Sequence, residues 1–211
     1  MSARPRIAVI GVGNEFRRDD GVGPAVIARL RTRYAKRGAG PDFAGGVADE
    51  DAAFAGRTTP AEPDFAVCDG EPARLIGLWE GADLAFVVDA AHAHPAVPGR
   101  VHRLELDAVT PDRPSGTSSH GLGLGEAVEL ARILGRLPSR LVVYAVEGGD
   151  TGHGPGLSPA VASAAVTVAR RIEHEVEARE HPQRPAPQRP VPPRAVPPRP
   201  VPPGRGAGGR P

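Results

Sequence analysis

Three apolar runs of strand length constrain this chain more than anything else in it: RIAVIGV (6–12), DLAFVVDAAH (83–92) and RLVVYAVEG (140–148). A strand with one wet face alternates apolar and polar residues. A continuous run marks a strand covered on both faces, the habit of parallel sheets. Between the runs lie stretches of helical period. DGVGPAVIARLRTRYAKRG (20–38) places Val26, Ile27, Leu30 and Tyr34 on one face, with Gly38 suited to its stop. PARLIGLWEGA (72–82) and SSHGLGLGEAVELARILGRL (118–137) follow, the latter with a Ser offered as N-cap. SPAVASAAVTVARRIEHEVEARE (158–180) has Ser158 as cap and Pro159 at its first position. DFAVCDG (64–70) reads as a short strand. GRVHRLELD (99–107) alternates imperfectly, and the connection before it is too short for a helical crossover, so it is expected to pair antiparallel, as an edge strand beside its predecessor. The pattern predicts an α/β fold: a five-stranded twisted, mainly parallel sheet with one antiparallel edge strand and helices on both faces. Such sheets bind ligands at the carboxyl ends of their strands, near a topological switch point.

The 211 residues suffice for one domain with a tail. The domain is placed at 1–180, with 39–63 as an inserted loop because that Gly-, Asp- and Pro-rich stretch exceeds the usual α/β connection. Residues 181–211 hold 12 of the 25 prolines, with VPP recurring at 191, 196 and 201, and are expected to form a disordered, polyproline-like tail. That tail carries six Arg and no acid; without it, 20 of the 26 basic residues face all 25 acidic ones. The folded part is therefore mildly acidic, and nucleic acid is not an expected partner. The single cysteine, Cys68, excludes an internal disulfide and fits a reducing cytoplasm. No apolar segment approaches membrane-span length, so no membrane contact is expected.

The loop after the first strand, GVGNEFRRDDGVGP (11–24), raises the question of chemistry. Its two glycines suit a phosphate-binding turn, but the third position of a dinucleotide fingerprint falls on Phe16, and Asp19 and Asp20 would repel a pyrophosphate. No Gly-Lys-Ser/Thr loop exists. The structural alternative is a tight turn whose Asp19 or Asp20 caps the helix, which explains one Asp better than two.

Asp89 ends an apolar run and is expected at the same sheet edge. His120 opens a helix. Two carboxylates and an imidazole converging on one crevice would suit a divalent transition metal with open positions. His92 and His94 lie near Asp89 in sequence and compete as ligands or supports; His102 sits in a strand and His153 in a Gly-rich loop. There is no HExxH helix and no G-x-S-x-G elbow, and Cys68 has no histidine near it in sequence.

GVGNEFRRDDGVGP, FVVDA and SSHGLGL, in this order and spacing, resemble the NiFe-hydrogenase maturation endopeptidases over roughly residues 6–175. The resemblance implies a peptidase that removes the C-terminal extension of the hydrogenase large-subunit precursor after nickel insertion. It implies Asp20, Asp89 and His120 as both the metal-binding and the catalytic residues, with the nickel belonging to the precursor and no organic cofactor. A cytoplasmic monomer is expected. Two departures stand out: Asp20 where the family often has Glu, and DGEP (69–72) where it often has DGGT, so that Glu71 and Pro72 replace Gly and Thr. Two rival readings are a non-cleaving module of the same fold that senses a metal-loaded partner, and a nucleotide-binding enzyme built on the Gly11–Gly13 turn.

Overall fold

The computed structural model describes residues 5–38, 62–107 and 122–180. The elements run β1 (Ile7–Val12), a 3-10 turn (Arg18–Gly21), α1 (Val22–Gly38), β2 (Asp64–Cys68), α2 (Pro72–Trp79), β3 (Leu84–Ala91), β4 (Val101–Asp107), α3 (Leu122–Leu134), β5 (Arg140–Glu147) and α4 (Pro159–Glu180). The sheet order is β2-β1-β3-β5-β4, parallel throughout except for β4 against β5. This is the expected α/β fold with its antiparallel edge. The expected insertion falls almost wholly in residues 39–61, and the tail in 181–211; both lie outside the described residues.

The apolar runs became β1, β3 and β5, buried along their whole length apart from Arg140. Their side chains alternate between two layers. Val9, Phe86 and Tyr144 face α1 and α4 together with Val26, Leu30, Val168 and Ile172. Ile10, Val87 and Val143 face α2 and α3 together with Leu75, Trp79, Ala127 and Ala131. Each large apolar side chain taken out of water contributes about 1.5–3 kcal/mol, so these two layers carry the fold. Tyr34, expected on the buried face of α1, is partly buried there and meets Phe65 edge to face at 5.3 Å.

The place of β4 differs from expectation. It lies at the edge and runs antiparallel, but its partner is β5, which intervenes between it and β3. The reason is burial. β5 needs cover and a hydrogen-bonded neighbour on both sides, whereas β4 exposes His102, Arg103, Leu104 and Glu105 and can stand only at an edge. The β3–β4 connection therefore passes over the end of β5, where the Gly99 amide donates to the Glu147 carbonyl (2.8 Å) and the Gly148 amide to the Ala91 carbonyl (3.1 Å).

Helix α2 explains the Glu-Pro departure. Both oxygens of Glu71 accept from the helix's first turn, from the Ala73 amide at 2.9 Å and the Arg74 amide at 2.7 Å, and Pro72 takes the first helical position. The pair starts the helix that buries Leu75, Ile76 and Trp79.

Candidate active site

The chain turns left from β1 to β2 and right from β3 to β5, so the switch point lies between the carboxyl ends of β1 and β3. Here β1 stops first. Its register with β3 runs to Gly11 opposite Val88, leaving Asp89 beside β5 alone. By alternation with Ala85 and Val87, Asp89 lies on the layer that faces α2 and α3.

Two glycines fix the turn. Gly13 has φ 124°, and a Cβ there would stand 1.9 Å from the Asp20 carbonyl oxygen; its amide donates to the Cys68 carbonyl at 3.0 Å. Gly23 lets α1 begin directly on the strand ends, since a Cβ would stand 2.3 Å from the Val12 oxygen and 2.6 Å from the Val88 oxygen. The chain thus folds back and brings Asp20 over the start of the loop. There the Asn14 amide donates to Asp20 Oδ2 at 2.9 Å. That amide would face the ligand in a phosphate loop; in this chain it faces a carboxylate, an arrangement that repels phosphate. Among the described residues, Asp20 Oδ1 accepts no hydrogen bond.

Asp19 and Asp20 have separate jobs. Asp19 is fully buried. Its Oδ2 accepts from the amides of Gly149 (2.9 Å) and Asp150 (3.0 Å) and from the Ser158 hydroxyl (3.0 Å), and its Oδ1 from the Ser158 amide (2.7 Å). Burial pushes its carboxyl up, but these donors together hold it below the ordinary range. Asp19 therefore pins the β1–α1 loop to the β5–α4 loop. The hydroxyl of Ser158, expected as a helix cap, donates to it.

Asp89 is 8% exposed. Burial pushes its carboxyl up to about 6; the Ala90 amide pulls it down, and the charge of Asp20 raises it further. The charge of Asp20 thus acts on Asp89, and carboxylates of this kind are acceptors a cation can use. His120 lies outside the described residues. It precedes by two positions α3, which packs on the layer that bears Asp89. Among the described residues, no three His, Cys, Asp or Glu side chains converge closely enough to hold a metal. His92, His94 and His153 are exposed on loops. Burial pushes the Cys68 thiol up, which disfavours the reactive thiolate.

The family model of the HycI hydrogenase maturation proteases matches residues 57–175. The chain belongs to the hydrogenase maturation protease family. Membership makes it a peptidase. The matched region includes Asp89 and His120 and begins after the loop that carries Asp20, which rests on the geometry above. Among solved structures, the hydrogenase maturating endopeptidase HybD from Escherichia coli is 20% identical, covers 82% of this chain and 92% of its own, and superposes with a TM-score of 0.55. An Escherichia coli endopeptidase solved in solution gives 20%, 79%, 89% and 0.57, and the NiFe-hydrogenase maturation protease HybD from Thermococcus kodakarensis 19%, 81%, 98% and 0.51. At such identities these likenesses establish the fold. No curated protein gives a significant match.

One residue of this maturation protease's site region escaped the sequence reading. Glu147 ends β5 almost completely buried and accepts from the Val97 amide (2.6 Å); His102 Nε2 lies 2.7 Å from its other oxygen, with Arg100 at 3.6 Å. The Val97 amide, then His102, hold its carboxyl below the ordinary range. The signal was available, because Glu147 closes an apolar run as Asp89 does. Glu147 fixes the β3–β4 loop as Asp19 fixes the β1–α1 loop.

Proposed function

We propose that this chain is the endopeptidase that removes the C-terminal extension of a NiFe-hydrogenase large-subunit precursor, and that it acts once nickel is in place. What supports this reading is that the loop carrying Asp20 and the strand end carrying Asp89 meet at the switch point, where the charge of Asp20 acts on Asp89, in a chain of the maturation protease family. Nickel is treated as part of the substrate. Asp20, through its free oxygen, Asp89 and His120 supply oxygen and nitrogen donors of the kind a divalent transition metal accepts. An incomplete protein ligand set suits a metal that arrives already held by the precursor.

The same residues can serve the hydrolysis. Alternatively, with nickel serving only for recognition and Asp89 not ligated to it, a buried carboxyl near 6 suits Asp89 to accept a proton from an attacking water and return it to the leaving amine. Asp20 is held in place by the Asn14 amide. The rival nucleotide reading loses ground because the turn that would cradle phosphate holds the Asp20 carboxylate instead.

The test is to incubate the full chain with nickel-loaded and nickel-free large-subunit precursor. Cleavage of the loaded form alone, seen as a downward gel shift with the new C-terminus read by mass spectrometry, supports the reading. Binding without any shorter product would make the chain a non-cleaving sensor and end the peptidase proposal.

A further inference from the structure

Two loops follow the strands that make the switch point, and among their described residues each presents one large exposed hydrophobic side chain. Phe16, in the β1–α1 loop, is 65% exposed; Val97, in the β3–β4 loop, is 45% exposed. Single exposed apolar residues are common and need no explanation. These two are unusual in how firmly their backbones are held.

The Phe16 amide donates to Asn14 Oδ1 at 2.9 Å, and its carbonyl accepts from the Gly154 amide at 2.8 Å. Its neighbours are bonded in turn: the Arg17 amide to the Asn14 carbonyl, the Arg18 amide to the Gly154 carbonyl and the Asp19 amide to the Asp150 carbonyl. Arg18 adopts φ 45°, a left-handed conformation that costs a non-glycine residue and persists only where the surroundings impose it. The Val97 amide is bonded to buried Glu147, and its carbonyl accepts from the Arg100 amide at 3.0 Å.

The two loops also share a wall. Gly149, whose amide donates to Asp19, lies against Pro98, so closely that a Cβ at Gly149 would stand 2.6 Å from Pro98 Cγ. Among the described residues, the most exposed large hydrophobic side chain, Ile133, lies with Leu134 at the end of α3, which leads into the start of β5 and so belongs to the opposite end of the strands.

We infer that Phe16 and Val97 form a preorganised docking rim that receives apolar side chains of the precursor segment flanking the scissile bond. An aromatic side chain on a fixed backbone gives contact area at little entropic cost, the property of binding hot spots. The rim positions the peptide at the strand ends where the Asp20 loop and Asp89 meet. This inference rests on the endopeptidase reading above.

The test compares full-length wild type with Phe16→Ser, Val97→Ser and Phe16→Leu on nickel-loaded precursor. Both Ser variants are expected to raise KM about tenfold or more with kcat within about twofold, and Phe16→Leu to recover most of the loss. Melting temperatures should stay unchanged, because both side chains are exposed. Should Phe16→Ser alter the melt, Val97→Ser and Phe16→Leu decide. Wild-type cleavage with kcat/KM unchanged in both Ser variants, or a loss confined to kcat, overturns the docking rim and leaves the endopeptidase reading intact. Failure of wild type to cleave overturns both.

Discussion

Replacing Asp89 by Asn keeps the side chain's shape and removes its charge, and two opposite effects should follow. The carboxyl lies at about 6 instead of its ordinary 3.8. Holding it ionised in the fold therefore costs roughly 3 kcal/mol at most. Its contribution is fully present below pH 3.8, where the carboxyl is protonated in both states, and is lost as the pH rises through about 6. Asn carries no such loss. Asp89→Asn should therefore be more stable than wild type at pH 7.5 by about 1–3 kcal/mol, or several degrees in melting temperature. The difference should shrink toward zero near pH 4. The same variant should fail to process precursor. Urea melts at both pH values, with a gel-shift assay alongside, measure the two effects. A variant less stable than wild type at pH 7.5, or a gap independent of pH, would refute the account of Asp89 as a carboxylate held at a cost. Full processing by the variant would remove it from the site.

Other substitutions probe the framework. Asp19→Ala leaves three amides and a hydroxyl without their acceptor and should destabilise by about 3 kcal/mol or more, measured by urea unfolding. Because the Asp19 carboxyl is held low, wild type should lose this contribution only as the pH falls below the ordinary carboxylate range, and the gap to the variant should narrow in acid. Glu71→Ala removes the cap of α2 and should cost about 1 kcal/mol in the same assay, with processing retained. Deletion of residues 181–211 should leave the melting temperature unchanged, because that composition cannot bury a core. A large drop would give the tail a structural role.

The fold class could be read from local pattern because burial on both faces leaves its mark in the strands themselves. RIAVIGV, DLAFVVDAAH and RLVVYAVEG specify interior parallel strands without reference to their neighbours, and helical periods between them place cover on both faces. The glycines at 11 and 13 likewise announced a tight turn after the first strand. Asp89 was legible because a carboxylate closing an apolar run is costly, and cost marks function or structure.

What the sequence left open was decided by contacts between distant segments. Which of Asp19 and Asp20 is committed to the framework depends on the amides at 149, 150 and 158, more than a hundred residues away, which claim both oxygens of Asp19, so that it is the charge of Asp20 that acts on Asp89. The edge strand's partner depends on β5, which lies later in the chain than β4 and needs a neighbour on each side. The task of Glu147 depends on a loop that meets it only because β4 lies beyond β5. Local pattern records how much burial a segment requires, whereas pairing and hydrogen-bond satisfaction are settled only when the whole sheet is assembled.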